Sequence, residues 1–430
     1  VGSEMCIRDR WRIGTLGDIA DVVMGQSPAG ENCNETGIGI PLLNGPTEFG
    51  GSHPTPVQFT TDPRKFALTG DLLFCVRGST TGRMNWADQK YAIGRGLAAI
   101  RPQGGNQYRH FVRAIIDANL SALLATATGS TFPNVSREQI RGIQCDLPPL
   151  TTQRAIASIL GSLDDKIELN RRMNATLEGM ARALFQSWFV DFDPVRAKLD
   201  VRTPVGMDAE TAALFPSEFE ESELGLIPKG WRVGKVSDVA TLNRGAVNPC
   251  DFPTETFDHF SLPAFDNGRT PKVELGSTIM SNKFTVTPNS VLLSKLNPHI
   301  PRIWLPDLHA SRRSVCSTEF IVACSKPGVS REYLFALFTS SSFASIYGTL
   351  VTGTTGSHQR IRPESVLDMK IIIPPATFIR AFTNISKPMF DCINRNTEQS
   401  RTLATLRDTL LPKLLSGELS GEACQMRAVE

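Results

Sequence analysis

The chain repeats itself, and the repeat is long. Leu147-Pro148-Pro149 leads into Thr151-Thr-Gln-Arg-Ala-Ile-Ala-Ser-Ile-Leu160, and Ile373-Pro374-Pro375 leads into Thr377-Phe-Ile-Arg-Ala-Phe-Thr-Asn-Ile385, 226 residues on. Trp11-Arg-x-Gly14 with Asp18 returns as Trp231-Arg-x-Gly234 with Asp238, offset by 220. Asp71-Leu-Leu-Phe74 falls near Ser290-Val-Leu-Leu293, and Thr128-Gly-Ser130 matches Thr355-Gly-Ser357. A period of about half the chain is a duplicated domain with its connector, not a solenoid of short repeats. At 430 residues the chain also exceeds what one core ordinarily serves.

Each copy has two parts. The first mixes short β-like runs with Gly, Pro and Asn turns. Asp71–Val76, Gly96–Ile100 and Asp368–Ile373 read as strands, and helices are expected around Tyr108–Leu124 and Arg331–Tyr347. Pro-Pro closes the last strand because proline lacks a ladder donor and holds the preceding residue extended. The second part is a long helix. Apolar residues recur at steps near 3 and 4 through Ile159, Leu163, Ile167, Met173, Leu177, Met180 and Leu184, and through Ile385, Met389, Ile393, Leu403, Leu406 and Leu410. This spacing predicts a coiled-coil seam. Asn170 and Asn396 fall at matching places inside it, where a polar residue fixes register at a cost in stability. A helix from Thr151 to Trp188 is about 57 Å long, so two such rods packed antiparallel make a ruler between two globular parts. Each helix packing only on its own globular part is the plainer alternative. Pro388 and Pro412 are expected to interrupt the second helix.

The expected divisions are a non-native or disordered leader at 1–10, a globular domain at 11–149, a helix at 150–188 and a connector at 189–230; a second domain at 231–375, a second helix at 376–416 and a tail at 417–430 complete the plan. The leader stands where the second copy has Ile227-Pro-Lys-Gly before its tryptophan, and is read as an assembly scar. The connector's Glu218-Phe-Glu-Glu-Ser-Glu223 is a solvated acidic face.

Motifs that carry chemistry are missing. There is no phosphate-binding G-x-x-x-x-G-K-[ST], no G-x-G-x-x-G between strand and helix, no H-E-x-x-H and no G-x-S-x-G. Six scattered histidines and nine scattered cysteines offer no metal cluster, and the cysteines read as reduced thiols of a cytoplasmic protein. Asn297-Pro298-His299-Ile300 is the nearest approach to an amino-methyltransferase motif, but it lacks the second proline and the aromatic and reads as a turn. Asp164-Asp165 reads as a solvated carboxylate pair. No apolar run reaches the roughly 18 residues of a membrane span, and a net charge of +2 neither demands nor excludes nucleic acid.

The chain resembles the specificity subunits of type I restriction-modification systems. The resemblance spans Trp11 to Leu419 and is carried by Leu147–Met173, by Phe185-Gln-Ser-Trp-Phe-Val-Asp-Phe-Asp193 and by Glu223-Leu-Gly-Leu-Ile-Pro-Lys-Gly-Trp231. It implies an α+β chain with a pseudo-twofold internal repeat: two similar α/β target recognition domains separated by two long antiparallel coiled-coil helices. It further implies that each domain reads one half of a split, asymmetric site on double-stranded DNA. Two methyltransferase subunits carrying S-adenosylmethionine, and restriction subunits driven by ATP and Mg, are the implied partners. No catalytic residue, directly bound cofactor or metal is implied in this chain. One departure is that Phe378-Ile379-Arg380 stands where the first copy has Thr152-Gln153-Arg154.

Bases are read by Arg, Lys, Asn, Gln, Ser and Thr offered into a groove. Between Trp11 and Asp146 there are ten arginines and two lysines, and arginine's planar fork suits guanine or phosphate. The first-copy candidates are Arg77, Ser79, Thr80 and Arg83 in one Gly-rich loop, with Gln26-Ser27 and Thr131-Phe-Pro-Asn134. Those of the second copy are Asn243-Arg244, Lys295 and Asn297, Arg312-Arg313, and His358-Gln359-Arg360. A divergent methyltransferase or nuclease, and a purely structural coiled-coil adaptor, are the alternative readings.

Overall fold

The structure, a computed structural model, describes residues 11–127, 133–352 and 359–419. The leader, the Thr128–Ser130 and Thr355–Ser357 match, Thr131, Phe132, His358 and the tail from 420 lie outside the described residues. The chain divides into two compact units, one made of residues up to Arg172 together with Thr397 onwards, the other of Met173–Asn396. Each long helix therefore gives one half of its length to each unit.

Unit 1 holds β1 (Arg12–Thr15), β2 (Ala20–Met24), β3 (Cys33–Asn34), β4 (Ile40–Leu43), β5 (Gln58–Thr60), β6 (Phe66–Ala67), β7 (Leu72–Cys75), β8 (Met84–Trp86), β9 (Tyr91–Ile93), β10 (Leu97–Pro102) and β11 (Gln144–Leu147). They form an antiparallel pair β1-β11, a four-stranded sheet β2-β10-β7-β8 and a five-stranded sheet β3-β5-β4-β9-β6. β7 is buried along its whole length because it is sandwiched. Leu72 and Phe74 point to a core shared with Phe111 and Ile115 of the helix Arg109–Ala125. Leu73 and Cys75 point the other way, to Leu43, Tyr91 and Ile93 of the five-stranded sheet. Strand periodicity sends alternate residues to opposite faces, so a strand with two dry faces reads as a continuous apolar run.

Unit 2 repeats the plan after a hairpin of β12 (Phe219–Ser222) and β13 (Gly225–Pro228). Its strands are β14 (Arg232–Lys235), β15 (Ala240–Leu242), β16 (Ala246–Val247), β17 (Thr256–Phe260), β18 (Lys272–Leu275), β19 (Lys283–Thr285), β20 (Ser290–Ser294), β21 (Ile303–Trp304), β22 (Arg313–Cys316), β23 (Phe320–Ser325), β24 (Val351–Thr352), β25 (Arg360–Ile361) and β26 (Lys370–Ile373). The pair β14-β26 and the sheet β15-β23-β20-β21 match unit 1 strand for strand. In the larger sheet β18-β17-β22-β19 matches β5-β4-β9-β6, but the leading strand changes edge: β3 joins β5, whereas β16 joins β19. The helix expected over Arg331–Tyr347 is two helices, Arg331–Thr339 and Ser341–Tyr347. Ser340 breaks the run with extended backbone, and its Oγ accepts from the Phe343 N–H at 3.3 Å.

The first long helix spans Leu150–Phe189 and the second Ala376–Leu415. Neither Pro388 nor Pro412 interrupts the second, contrary to the expectation. Both prolines are exposed, and so are Asn384 and Asp408 one turn earlier, whose carbonyls lose their helical donor on the solvent side of the helix, where a lost helical bond costs least. The seam also needs correction. Met173, Met180 and Leu406 are 38%, 50% and 45% exposed, off the seam. A strict four-three alternation runs instead through Ile156, Leu160, Leu163, Ile167, Asn170, Asn174, Leu177, Ala181, Leu184 and Trp188, placing polar Asn174 and small Ala181 where apolarity alone favours the methionines. Its counterparts at offset 226 are Phe382, Ser386, Met389, Ile393, Asn396, Ser400, Leu403, Arg407, Leu410 and Leu414. Ile385 and Ile159 sit one position aside, half-buried against the cores of their units.

Within unit 1 the buried Asn170 donates to Gln399 Oε1 at 2.9 Å and Ser400 Oγ at 3.2 Å, and Arg407 donates to Asp164 at 2.8 Å. Within unit 2 the Asn396 amide donates to Asn174 Oδ1 at 2.9 Å. Numbers rise on one helix as they fall on the other, so in each unit the half-helices run antiparallel. Asn170–Ser400 and Asn396–Asn174 are one pair made twice by the repeat. Each half-helix also enters its unit's core, Ile156, Leu160 and Leu414 in unit 1 and Trp188, Phe378 and Phe382 in unit 2, so helix-on-helix and helix-on-domain packing coexist.

Candidate nucleic-acid interface

The loops at one end of the four-stranded sheet gather most of the predicted residues of unit 1. Arg77 and Asn134 form a β-bridge, and the Arg77 Nε–H donates to Asn134 Oδ1 at 3.1 Å. Gly82 and Arg83 close back on Cys75 through two backbone bonds of 2.9 and 2.8 Å, and both Gly78 and Gly82 have positive φ, a conformation that suits glycine. The Thr80 carbonyl accepts the Arg83 N–H at 3.1 Å, while Ser79 is exposed. Gln26 and Ser27 are exposed on the loop after β2, and the Ser27 Oγ accepts from the Arg95 N–H at 3.2 Å. The Gly94-Arg95-Gly96 loop is tied to Val76 by a bond from the Val76 N–H to the Gly96 carbonyl at 2.9 Å. Arg95 thus belongs to the cluster, although sequence reasoning misses it. The signal is present, an Arg between two glycines and between two apolar strands, but the apolar pattern there points first to the strand.

In unit 2 the same places hold a different chemistry. The Asn297 N–H donates to the Gln359 carbonyl at 3.1 Å and Leu296 bridges Arg360, the counterpart of the Arg77–Asn134 bridge. Asn297 sits at φ +50, which asparagine tolerates better than most residues. Lys295 is half-buried. Its ammonium donates to the Thr318 carbonyl at 2.7 Å, and burial pulls its pKa below the usual lysine value. Arg360 pairs with Glu319 at 2.8 Å and Arg244 with Glu364 at 2.6 Å. The Asn243 amide braces the loop by donating to the Thr285 carbonyl at 2.8 Å, an interaction made possible by the edge switch of β16.

Arg312 and Arg313 do not join this cluster. They stand at the start of β22, about 13 Å of strand from the Ser317–Glu319 loop at its end. Arg312 pairs at 2.8 Å with the buried Asp258 carboxylate, and Arg313 pairs with Glu255 at 3.2 Å and lies 4.5 Å over the Phe252 ring. These pairs neutralise the Asp258 and Glu255 carboxylates beside the sheet.

A second charged cluster lies in the helix pair of unit 1. Asp164 receives Arg407 at 2.8 Å and faces His110 Nδ1 at 3.6 Å. Burial works against this carboxylate, but His110 close beside it, the bond from Arg407 and the charge of Arg113 hold it down to about 2. Glu168 is held down to about 2 likewise: burial opposes, while Arg171, Ser52 and Arg172 hydrogen-bond it. The pair Asp164-Asp165 is therefore not simply solvated, since Asp164 is locked. Among the described residues no three His, Cys, Asp or Glu side chains converge as metal ligands would. No helix among them is long and apolar enough to cross a membrane.

Comparison with known proteins agrees with this layout. Residues 8–179 match the family described as type I restriction modification DNA specificity domain. The type I restriction enzyme HindI specificity subunit of Haemophilus influenzae is 25% identical over 416 residues, covering 83% of this chain and 88% of that one. The MjaIX specificity subunit of Methanocaldococcus jannaschii is 23% identical over 439 residues, covering 96% and 94%. The fold is shared with the crystal structure of a type I restriction-modification S subunit from M. genitalium, at a TM-score of 0.54, 12% identity and coverage of 94% and 96%. With its duplicated units and its paired helices, the chain is similar over most of its length to the specificity subunits of type I restriction-modification systems.

Proposed function

We propose that this chain is the non-catalytic subunit that chooses the DNA sequence for a type I restriction-modification complex. Its first target recognition domain comprises 11–149 and its second 231–375. Each reads one half of a bipartite, asymmetric target through its loop cluster, the first through Arg77, Arg83, Arg95 and Asn134, the second through Lys295, Asn297, Gln359 and Arg360. The long helices set the spacing of the half-sites and dock two methyltransferase subunits. Those partners bring S-adenosylmethionine, and restriction subunits bring ATP and Mg. The observation that carries the reading is the repeat of one reader-plus-helix plan with one seam register and two different loop chemistries.

The test is co-expression with the neighbouring methyltransferase gene, followed by mapping of methylated positions in host DNA. A split motif with a methylated adenine in each half is expected. Seven residues added to the first long helix, near Met173, should lengthen the spacer and leave both half-sites unchanged. An unaltered spacer removes the ruler; methylation without any sequence preference removes the specificity role.

A further inference from the structure

The two loop clusters share a backbone plan but not a charge state. In unit 1 three exposed arginines, Arg77, Arg83 and Arg95, have backbones that converge on Cys75 and Val76. Among the described residues no carboxylate lies within ion-pair distance of any of them. In unit 2 two exposed arginines of the corresponding loops are already matched, Arg360 by Glu319 and Arg244 by Glu364, while Arg362, just past β25, has no carboxylate within ion-pair distance among the described residues. Arg302, which precedes β21 as Arg83 precedes β8, is held by both oxygens of Asp266 at 2.7 and 2.9 Å. Lys295 spends its ammonium on the Thr318 carbonyl.

A phosphate gains most from a cation that has no internal carboxylate. An arginine must release its carboxylate before it can neutralise a phosphate, and the freed carboxylate then repels the backbone it sits beside. We infer that the two half-sites are held by different physics: the Arg77, Arg83 and Arg95 trio supplies most of the salt-dependent grip on the DNA backbone, whereas unit 2, with Arg360 and Arg244 matched by Glu319 and Glu364, selects its half-site with little net counter-ion release. This rests on the proposal that the loop clusters face DNA. The affinity of the complex is then biased to the first half-site, and the acidic residues of unit 2 act as a filter that lowers its hold on arbitrary sequence.

The experiment measures binding of the complex with its methyltransferase subunits against salt concentration. The probes are a duplex carrying the mapped site and duplexes with either half scrambled. The slope of log affinity against log salt falls by about 0.9 for each phosphate that is no longer neutralised. The Arg77→Ala, Arg83→Ala, Arg95→Ala variant should lose about 2 to 3 of that slope, and the Arg244→Ala, Arg360→Ala variant less than about 1. Glu319→Gln with Glu364→Gln should raise the slope by about 1 to 2 and strengthen binding to the duplex whose second half is scrambled. Equal losses in the two arginine variants, or no rise with the glutamines, overturn the asymmetry and leave the proposed function standing. Equal affinity of the unaltered complex for mapped and scrambled duplexes removes the proposed function and this inference with it.

Discussion

At the junction of sheets and helices, unit 1 uses Ile156, Leu160, Leu411, Leu414 and Leu415, and unit 2 uses Phe382, Ser386, Phe185, Trp188 and Phe189 at the positions related by the repeat. The aliphatic junction is self-contained. The aromatic one also takes in the connector: Trp188 meets Phe215 edge-on at 5.3 Å, and Phe192 meets Trp231 at 5.7 Å. One helix register therefore accepts two packings, provided each junction is filled by side chains that suit one another. The difference gives unit 2 a larger apolar core and leaves unit 1 to use polar layers, above all Asp164–Arg407, where unit 2 has Phe390 and Ala181.

The largest effect expected from this difference is at Trp188. Trp188→Ala should cost about 3–5 kcal/mol, because it opens a cavity and removes a ring that its aromatic neighbours pack against. Leu414→Ala, its counterpart in unit 1, should cost about 3 kcal/mol. A chain of two units need not unfold in one step, so hydrogen exchange is the suitable readout. Trp188→Ala should release amides of β20 and β23, and Leu414→Ala those of β7 and β10. Release of both sets by either change would break the comparison, since the junctions would then form one cooperative core.

A smaller effect is expected at the charged layer. Arg407→Ala strands Asp164 part-buried and should cost about 2 kcal/mol, less than for a fully buried pair because water reaches this one. Asp164→Phe added to Arg407→Ala installs the chemistry of Phe390 and Ala181, and should recover most of that loss. The pH dependence has a definite sign. Asp164 is held down to about 2, below the ordinary carboxylate value, against burial and by His110 and Arg407. Its contribution of about 2 kcal/mol is complete above about pH 4 and drains away as pH falls through about 2. An acid titration of thermal stability should show that loss in the unaltered chain and a reduced one in Arg407→Ala.

Much of this is legible in the residues, and the rest is hidden for physical reasons. Pro-Pro, the Trp-Arg-x-Gly openings and the apolar strand runs disclose the duplication and both long helices, because prolines and periodicity act locally. Periodicity misplaces the seam at Met173, Met180 and Leu406 because hydrophobicity cannot show that a hydrogen-bonding partner waits across the helix pair, Asn396 for Asn174 and Asp164 for Arg407. Arg312 reads as a free cation because nothing local reveals that the buried Asp258, 54 residues away in sequence, pairs with it. Arg95 escapes for the converse reason: nothing local reveals that its loop is pinned to Val76.

The finest distinction between the two junctions is the residue three places into each helix. Gln153 is buried and its amide donates to the Pro148 carbonyl at 2.8 Å, holding the turn from β11 into the helix. Its counterpart Ile379 is equally buried but lies in the aromatic core. The apparent departure from the repeat is thus a change of junction rather than a defect: an amide secures the Pro-Pro turn where the surroundings are thin, and an aliphatic side chain fills the space where rings crowd in. Gln153→Ile should then cost about 1 kcal/mol, one buried hydrogen bond less the relief of a buried amide. Ile379→Gln should cost more, about 2 kcal/mol, because its amide would enter an apolar core with no partner provided. Chemical denaturation of the two variants reads the order directly. A costlier Gln153→Ile would mean that the turn, and not the packing around it, decides where each reader joins its helix.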